Sequence, residues 1–161
     1  MMFIENLEIG NYRKPVVIAE MSGNHNQSLD KAIEIVRAAA ETGVNILKLQ
    51  TYTPETITLD VDENEFFISD QNSLWKGQSL HNLYKNAYTP WEWHEEIFKE
   101  CKKNGLICFS SPFDESAVDF LEELNVPAYK IASFENNHLP LIKKVAKTRK
   151  PVIVSTGLAT I

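Results

Sequence analysis

ILKLQT, residues 46–51, sets a lysine and a glutamine inside a short apolar strand. Side chains alternate along a strand, so Ile46, Lys48 and Gln50 share one face and Leu47 and Leu49 share the other. A buried ammonium without a partner costs on the order of several kcal/mol. Lys48 therefore either reaches solvent or meets an anion. Two polar side chains point the same way near the C-terminal end of this strand.

The segments around it alternate in type. VVIAE (16–20) is a β-branched run that closes on an acid. Residues 29–42, LDKAIEIVRAAAET, carry apolar positions at helical spacing, with Ser28 as N-cap and Gly43 as stop. After the strand at 46–51 comes a long polar and aromatic insert, about 52–88, with a short helix in SLHNLYKNAY. Thr89-Pro90-Trp91-Glu92 reads as a helix start: Thr89 caps, Pro90 takes the first helical position and Glu92 completes a capping box. That helix runs to Asn104, and Gly105 ends it. LICFSSP (106–112) is the third strand. A helix from Asp114 to Leu124, a strand AYKIAS (128–133), a helix HLPLIKKVAKT (138–148) and a strand PVIVST (151–156) complete the series.

Strands alternating with helices predict a parallel sheet with right-handed crossovers. The strands are apolar on both faces, as they are when helices cover the sheet. MSGNHNQS after the first strand lacks GxGxxG, which counts against a dinucleotide site. A closed eight-stranded barrel takes about 250 residues. The fold class expected is therefore α/β, the N-terminal part of a TIM-type (β/α)8 barrel with about five βα strands. The abrupt ending TGLATI leads us to expect the first part of a longer barrel, with strands one and five as open, association-prone edges.

Composition narrows the functional classes. The chain has 161 residues, 43% hydrophobic and 24% charged, and a net charge of −6. That charge gives no overall attraction to nucleic acid or to a membrane surface. No apolar run approaches a membrane span, and the acidic N-terminus is not a signal peptide; the cytoplasm is the expected compartment. Cys101 and Cys108 read as free thiols acting as small buried hydrophobes.

The strand ends are polar in every case: Glu20, then Lys48 and Gln50, then Ser110 and Ser111, then Lys130, Ser133 and Glu135, then Ser155 and Thr156. Ligands of parallel α/β folds sit at these carboxyl ends. Two lysines with serine hydroxyls make an oxyanion cradle suited to phosphate. Glu20 and Glu135 suit hydroxyl groups or proton transfer. The pattern points to a phosphorylated small molecule and a sugar. His25 reads as a loop hydrogen-bonding residue, and His81, His94, His138, Trp91 and Trp93 as structural. No metal ligands are identified. The insert has the length of a substrate lid.

IAEMSGNHNQSLDKA, KLQTYTPETITLD, YTPWEWH, FSSPFD, AVDFLEELNVPAYKIASFE and KPVIVSTGLAT together resemble the sialic acid synthase family of phosphoenolpyruvate-condensing enzymes. KLQTYTPETITLD and TPWEWH favour its pseudaminic acid branch. The resemblance runs from about Val16 to Ile161. It implies a (β/α)8 barrel followed by an antifreeze-like domain, with the second half of the barrel and that domain absent from this chain. It implies condensation of phosphoenolpyruvate with an N-acetylated amino sugar, a 2,4-diacetamido-2,4,6-trideoxy hexose, to a nine-carbon 2-keto acid. A divalent metal, Mn2+ or Mg2+, would polarise the aldehyde, with its ligands outside this chain. A homodimer is implied for the full-length enzyme.

Carried over by motif, Lys48, Ser111, Lys130, Ser133 and Ser155 resemble phosphoenolpyruvate ligands, Gln50 a substrate contact, and Glu20 and Glu135 the acids near the reacting carbons. Three alternatives stay open. The sugar is that of an N-acetylneuraminate or legionaminate synthase. The chain is a non-catalytic fragment that keeps only part of the phosphate site. The chain is a phosphate-sugar aldolase with a Schiff-base lysine at Lys48 or Lys130. The isolated chain is expected to be inactive.

Overall fold

A computed structural model describes residues 2–157 and 159–160. The chain opens with an antiparallel hairpin, β1 (Met2–Ile4) and β2 (Leu7–Ile9), in which Met2 pairs with Ile9. Strands this short carry too little alternation to stand out in a sequence, and the hairpin was not anticipated. Its anchor is Ile4, fully buried against Ile46, Ile107, Phe109 and Ala128. Burying such a side chain stabilises by about 2 kcal/mol.

β3 (Ile18–Glu20) leads to α1 (Leu29–Glu41). The Ser28 hydroxyl caps α1 by accepting the Lys31 N–H, and Ala32 and Val36 supply its buried stripe. Gly43 ends the helix at φ +77°, a left-handed conformation that costs glycine little. β4 (Ile46–Thr51) follows, then α2 (Pro54–Ile57), a 3-10 turn at Asn64–Phe66 and α3 (Leu80–Ala87). The insert is thus a structured excursion, closed by a bridge between Phe67 and Ser79.

The chain resumes with α4 (His94–Lys103), β5 (Ile107–Pro112), α5 (Glu115–Glu123), β6 (Tyr129–Ile131), α6 (Leu139–Lys147) and β7 (Val152–Val154). Asp114 caps α5 through the Ser116 and Ala117 N–H groups, as its position predicts.

The capping box predicted at Thr89–Glu92 does not form. Pro90 is extended, at φ −52° and ψ 132°, and a 3-10 turn at Trp91–Trp93 precedes α4. Thr89 is buried, and its hydroxyl pairs with Nε2 of the fully buried His25 at 3.1 Å. Nδ1 of His25 accepts the Gln27 N–H, so Nε2 carries the proton and donates to Thr89. A buried imidazole N–H left unpaired costs more than one forgone helix cap.

β3-β4-β5-β6-β7 form one parallel sheet in chain order, curled as part of a barrel. The alternation read from ILKLQT holds. Leu47 and Leu49 pack outward with Met21, Ala32, Val36 and Ile97, and Val118, Leu121, Tyr129, Ile131 and Leu141 form the outer core further along. Ile46, Phe109 and Ile153 pack on the inner face, over the hairpin. The inner face is apolar at the hairpin end and polar at the strands' C-terminal end. Cys101 and Cys108 are free and buried in the outer core. No helix among the described residues is long and apolar enough to cross a membrane.

Candidate functional site: an anion cradle beside an aromatic cavity

Lys48 is 7% exposed. Strand register sets it beside Glu20, and its Nζ lies 3.5 Å from Glu20 Oε1. Glu20 is mostly exposed, so this contact compensates the buried ammonium only partly. Gln50, two residues on, pairs in register with Ser111 of β5. Ser111 is 1% exposed, and its Oγ is buried with no hydrogen-bond partner. A buried hydroxyl without a partner costs about 1–3 kcal/mol, and such sites cluster where a ligand or catalytic step supplies the missing bond.

Lys130 stands on the same face from β6, paired in register with Ile153. Its Nζ donates to Ser155 Oγ at 2.5 Å and to the Ile131 carbonyl at 2.7 Å. Burial pushes its pKa down, and the neighbouring Lys48 charge pushes it the same way; Glu20 and Glu135 oppose both. The two ammonium groups therefore share one electrostatic neighbourhood. Positive charge gathered on a partly buried face in this way stores an affinity for an anion.

Ser133 and Glu135 lie on a 3-10 turn, Ser133–Glu135, just after β6. Glu135 Oε2 is buried without a partner, and burial raises the pKa of this carboxyl, against the opposing pull of its own backbone hydrogen bond and of His138 and Lys130. A carboxyl biased toward its neutral form can donate a proton. Ser133, Glu135 and Gln50 line a cavity of about 640 Å3, together with Tyr52, Trp75, Tyr84, Phe113 and Phe134. The sequence reading missed these aromatic residues. Their signal was the run of aromatics in the insert and in SPFDE, which carries no register until the chain folds.

The sequence-selected side chains thus fall into two adjoining groups. Glu20, Lys48, Ser111, Lys130 and Ser155 surround the strand ends, and Gln50, Ser133 and Glu135 edge the cavity. Ser110 turns away from both. It bonds to Thr51 Oγ1 at 2.6 Å on the outer face, and Thr51 bonds to His94 Nε2 at 2.9 Å. His94 Nδ1 meets the Pro90 carbonyl, an acceptor only, so Nδ1 holds the proton and Nε2 accepts from Thr51. Burial holds the His94 pKa at about 4. His25 and His94 are structural, as expected. So are Trp91, stacked on Phe120, and Trp93, edge-on to His25. Among the described residues, no three His, Cys, Asp or Glu side chains converge to hold a metal ion.

Residues 35–161 match the NeuB family. The chain is 45% identical over 157 residues to a pseudaminic acid synthase of Campylobacter jejuni, covering 96% of this chain and 45% of that protein. It is 50% identical over 146 residues to a pseudaminic acid synthase of Helicobacter pylori, covering 91% of this chain and 42% of that protein. A crystal structure of N-acetylneuraminic acid synthetase from Leptospira borgpetersenii, in complex with citrate, superposes with a TM-score of 0.84 at 26% identity, covering 99% of this chain and 50% of the other. The chain spans a little under half the length of the curated relatives it matches.

Proposed function

We propose, from the premise that this chain belongs to the NeuB family, that it contributes the anion-binding part of a pseudaminic acid synthase. The reaction is condensation of phosphoenolpyruvate with a 2,4-diacetamido-2,4,6-trideoxy hexose. Carbon 3 of phosphoenolpyruvate attacks the open-chain aldehyde, water adds at carbon 2, and phosphate leaves with cleavage of the carbon–oxygen bond. A cytoplasmic setting suits both substrates, and the full-length protein would act as a homodimer.

The observation that carries this reading is the pairing of two ammonium groups, Lys48 and Lys130, with an orphaned buried hydroxyl, Ser111, on one face. In this reading Lys48 and Lys130 hold the phosphate and carboxylate of phosphoenolpyruvate, and Ser111 and Ser155 supply directed donors. Glu20, beside Lys48, orients the ammonium. Glu135, whose carboxyl burial biases toward its neutral form, serves as the proton donor at the edge of the cavity, where the alkoxide and the leaving group develop. Ser133 and Gln50 hold the substrates where the two groups adjoin. The divalent cation implied by the resemblance would be held by side chains outside these residues, and no step is routed through it.

A chimera tests the proposal. The chain is joined to the remaining part of the Helicobacter pylori synthase and supplied with phosphoenolpyruvate, each candidate sugar and Mn2+. Phosphate release and a nine-carbon product mass are expected with the trideoxy sugar. Lys48→Met or Lys130→Met should cut the rate at least about a hundredfold. Turnover that survives both substitutions contradicts the assignment. Turnover only with N-acetylmannosamine would move the protein to the neuraminate branch. The 161-residue chain alone should bind phosphoenolpyruvate and release no phosphate above background.

A further inference from the structure

We infer that the aromatic cavity beside the cradle selects the acceptor sugar by its methyl groups, with Phe134 and Trp75 as specificity-determining residues. This rests on the function proposed above. The cavity, of about 640 Å3, has the size of a small-molecule site. A second cavity of about 470 Å3 shares Ile57, Phe113, Phe134 and Glu135 with it and extends toward Asn137 and His138. The two cavities share these walls and together are termed the trough.

The larger cavity is lined chiefly by aromatic rings, from Tyr52, Trp75, Tyr84, Phe113 and Phe134. Tyr52 is held edge-on between Tyr84, at 5.6 Å, and Phe113, at 5.3 Å. Tyr84 comes from α3, which can approach because Gly23 has no Cβ: one built there would lie 2.8 Å from the Ala87 carbonyl oxygen. At the rim, Phe134 is 92% exposed and Trp75 50% exposed. Two large rings facing water beside an aromatic cavity are a surface that a ligand's apolar groups would cover. Gln50, Ser133 and Glu135 supply polar groups to the same cavity, and Gln50 follows Lys48 by two residues on the same strand face. A hexosamine with a full set of hydroxyls offers this trough little but polar groups. A trideoxy sugar with two acetamido groups offers three methyls to the rings and its amides to Gln50 and Ser133. Each methyl placed in such a pocket discriminates about tenfold.

The test is a binding experiment on the chain itself, read by saturation-transfer difference NMR and by titration. The ligands are the 2,4-diacetamido-2,4,6-trideoxy hexose, N-acetylmannosamine and phosphoenolpyruvate. The strongest saturation should fall on the C6 and acetyl methyls, with at least about tenfold tighter binding of the trideoxy sugar. Phe134→Ala with Trp75→Ala should abolish that preference, Phe134→Leu should restore part of it, and phosphoenolpyruvate affinity should stay within about twofold. Phe134 is exposed, so its removal leaves the core intact; circular dichroism checks this. Equal affinity for the two sugars, saturation confined to ring protons, or a preference that survives both substitutions overturns the inference. A failure of phosphoenolpyruvate to bind overturns the proposed function instead, since the sugar preference is read separately.

Discussion

Ser111 and Lys48 cost the fold stability where they stand, one as an orphaned hydroxyl and one as a partly compensated charge. Ser111→Ala removes a buried donor that pairs with nothing, so stability should rise, by up to about 1–3 kcal/mol. Phosphoenolpyruvate affinity should fall about tenfold, because hydrogen bonds to an anion are strong. Calorimetric titration beside a urea melt separates the two effects; a large stability loss with unchanged affinity would assign Ser111 to the core. His94 makes the opposite kind of prediction. Its folded pKa is about 4 against an ordinary 6.5. Between those values the unfolded chain binds more protons, so this group's contribution is complete above pH 6.5 and is lost as pH falls toward 4. The contribution is of order 3 kcal/mol. Urea midpoints from pH 7 to 5 should fall more steeply for the wild type than for His94→Gln; equal slopes would contradict a buried neutral imidazole. At this scale the sequence was legible where alternation decides. Lys48 lies on the inner face because Leu47 and Leu49 must face the helices. Ser110 and Ser111 both looked like site residues because composition alone does not say which one faces inward; register with Gln50 does.

The long helices were legible element by element because caps and apolar stripes agree, as at Ser28 with α1 and Asp114 with α5. The start of α4 was not. TPWE has the letters of a capping box, yet a partner distant in sequence, His25, takes the Thr89 hydroxyl. The N-terminal hairpin escaped because three-residue strands have no period to detect, and its reason is tertiary: it fills the floor of the inner face through Ile4. α3 depends on one absence of a side chain. In Gly23→Ala the new Cβ would meet the Ala87 carbonyl oxygen at 2.8 Å, and backbone must shift to relieve it. We expect a loss of about 1–3 kcal/mol, as for other overpacked contacts. Amide chemical-shift changes should centre on residues 80–88, and the sugar's methyl saturation should weaken. Shift changes confined to 22–24, with stability unchanged, would show that α3 does not lean on this glycine.

For the molecule as a whole, the parallel order β3 to β7 puts apolar packing at one end of the inner face and charge at the other. Polar residues at the end of every strand were visible in the sequence, and so was the parallel sheet that makes those ends converge. The aromatic trough was not, because it is assembled from β4, the insert, the loop after β5 and the turn after β6. The family comparisons give the likeness, and the chain's own geometry supports the proposal under it, that Lys48 and Lys130 act on a single anion. Lysine side-chain NMR on the 13C-labelled chain, titrated with phosphoenolpyruvate, tests this most directly. The account predicts that the Cε resonances of Lys48 and Lys130 move together and saturate at one dissociation constant, with the Lys130 pKa rising as the anion offsets burial and the Lys48 charge. Movement of only one of the two, or separate dissociation constants, would contradict it.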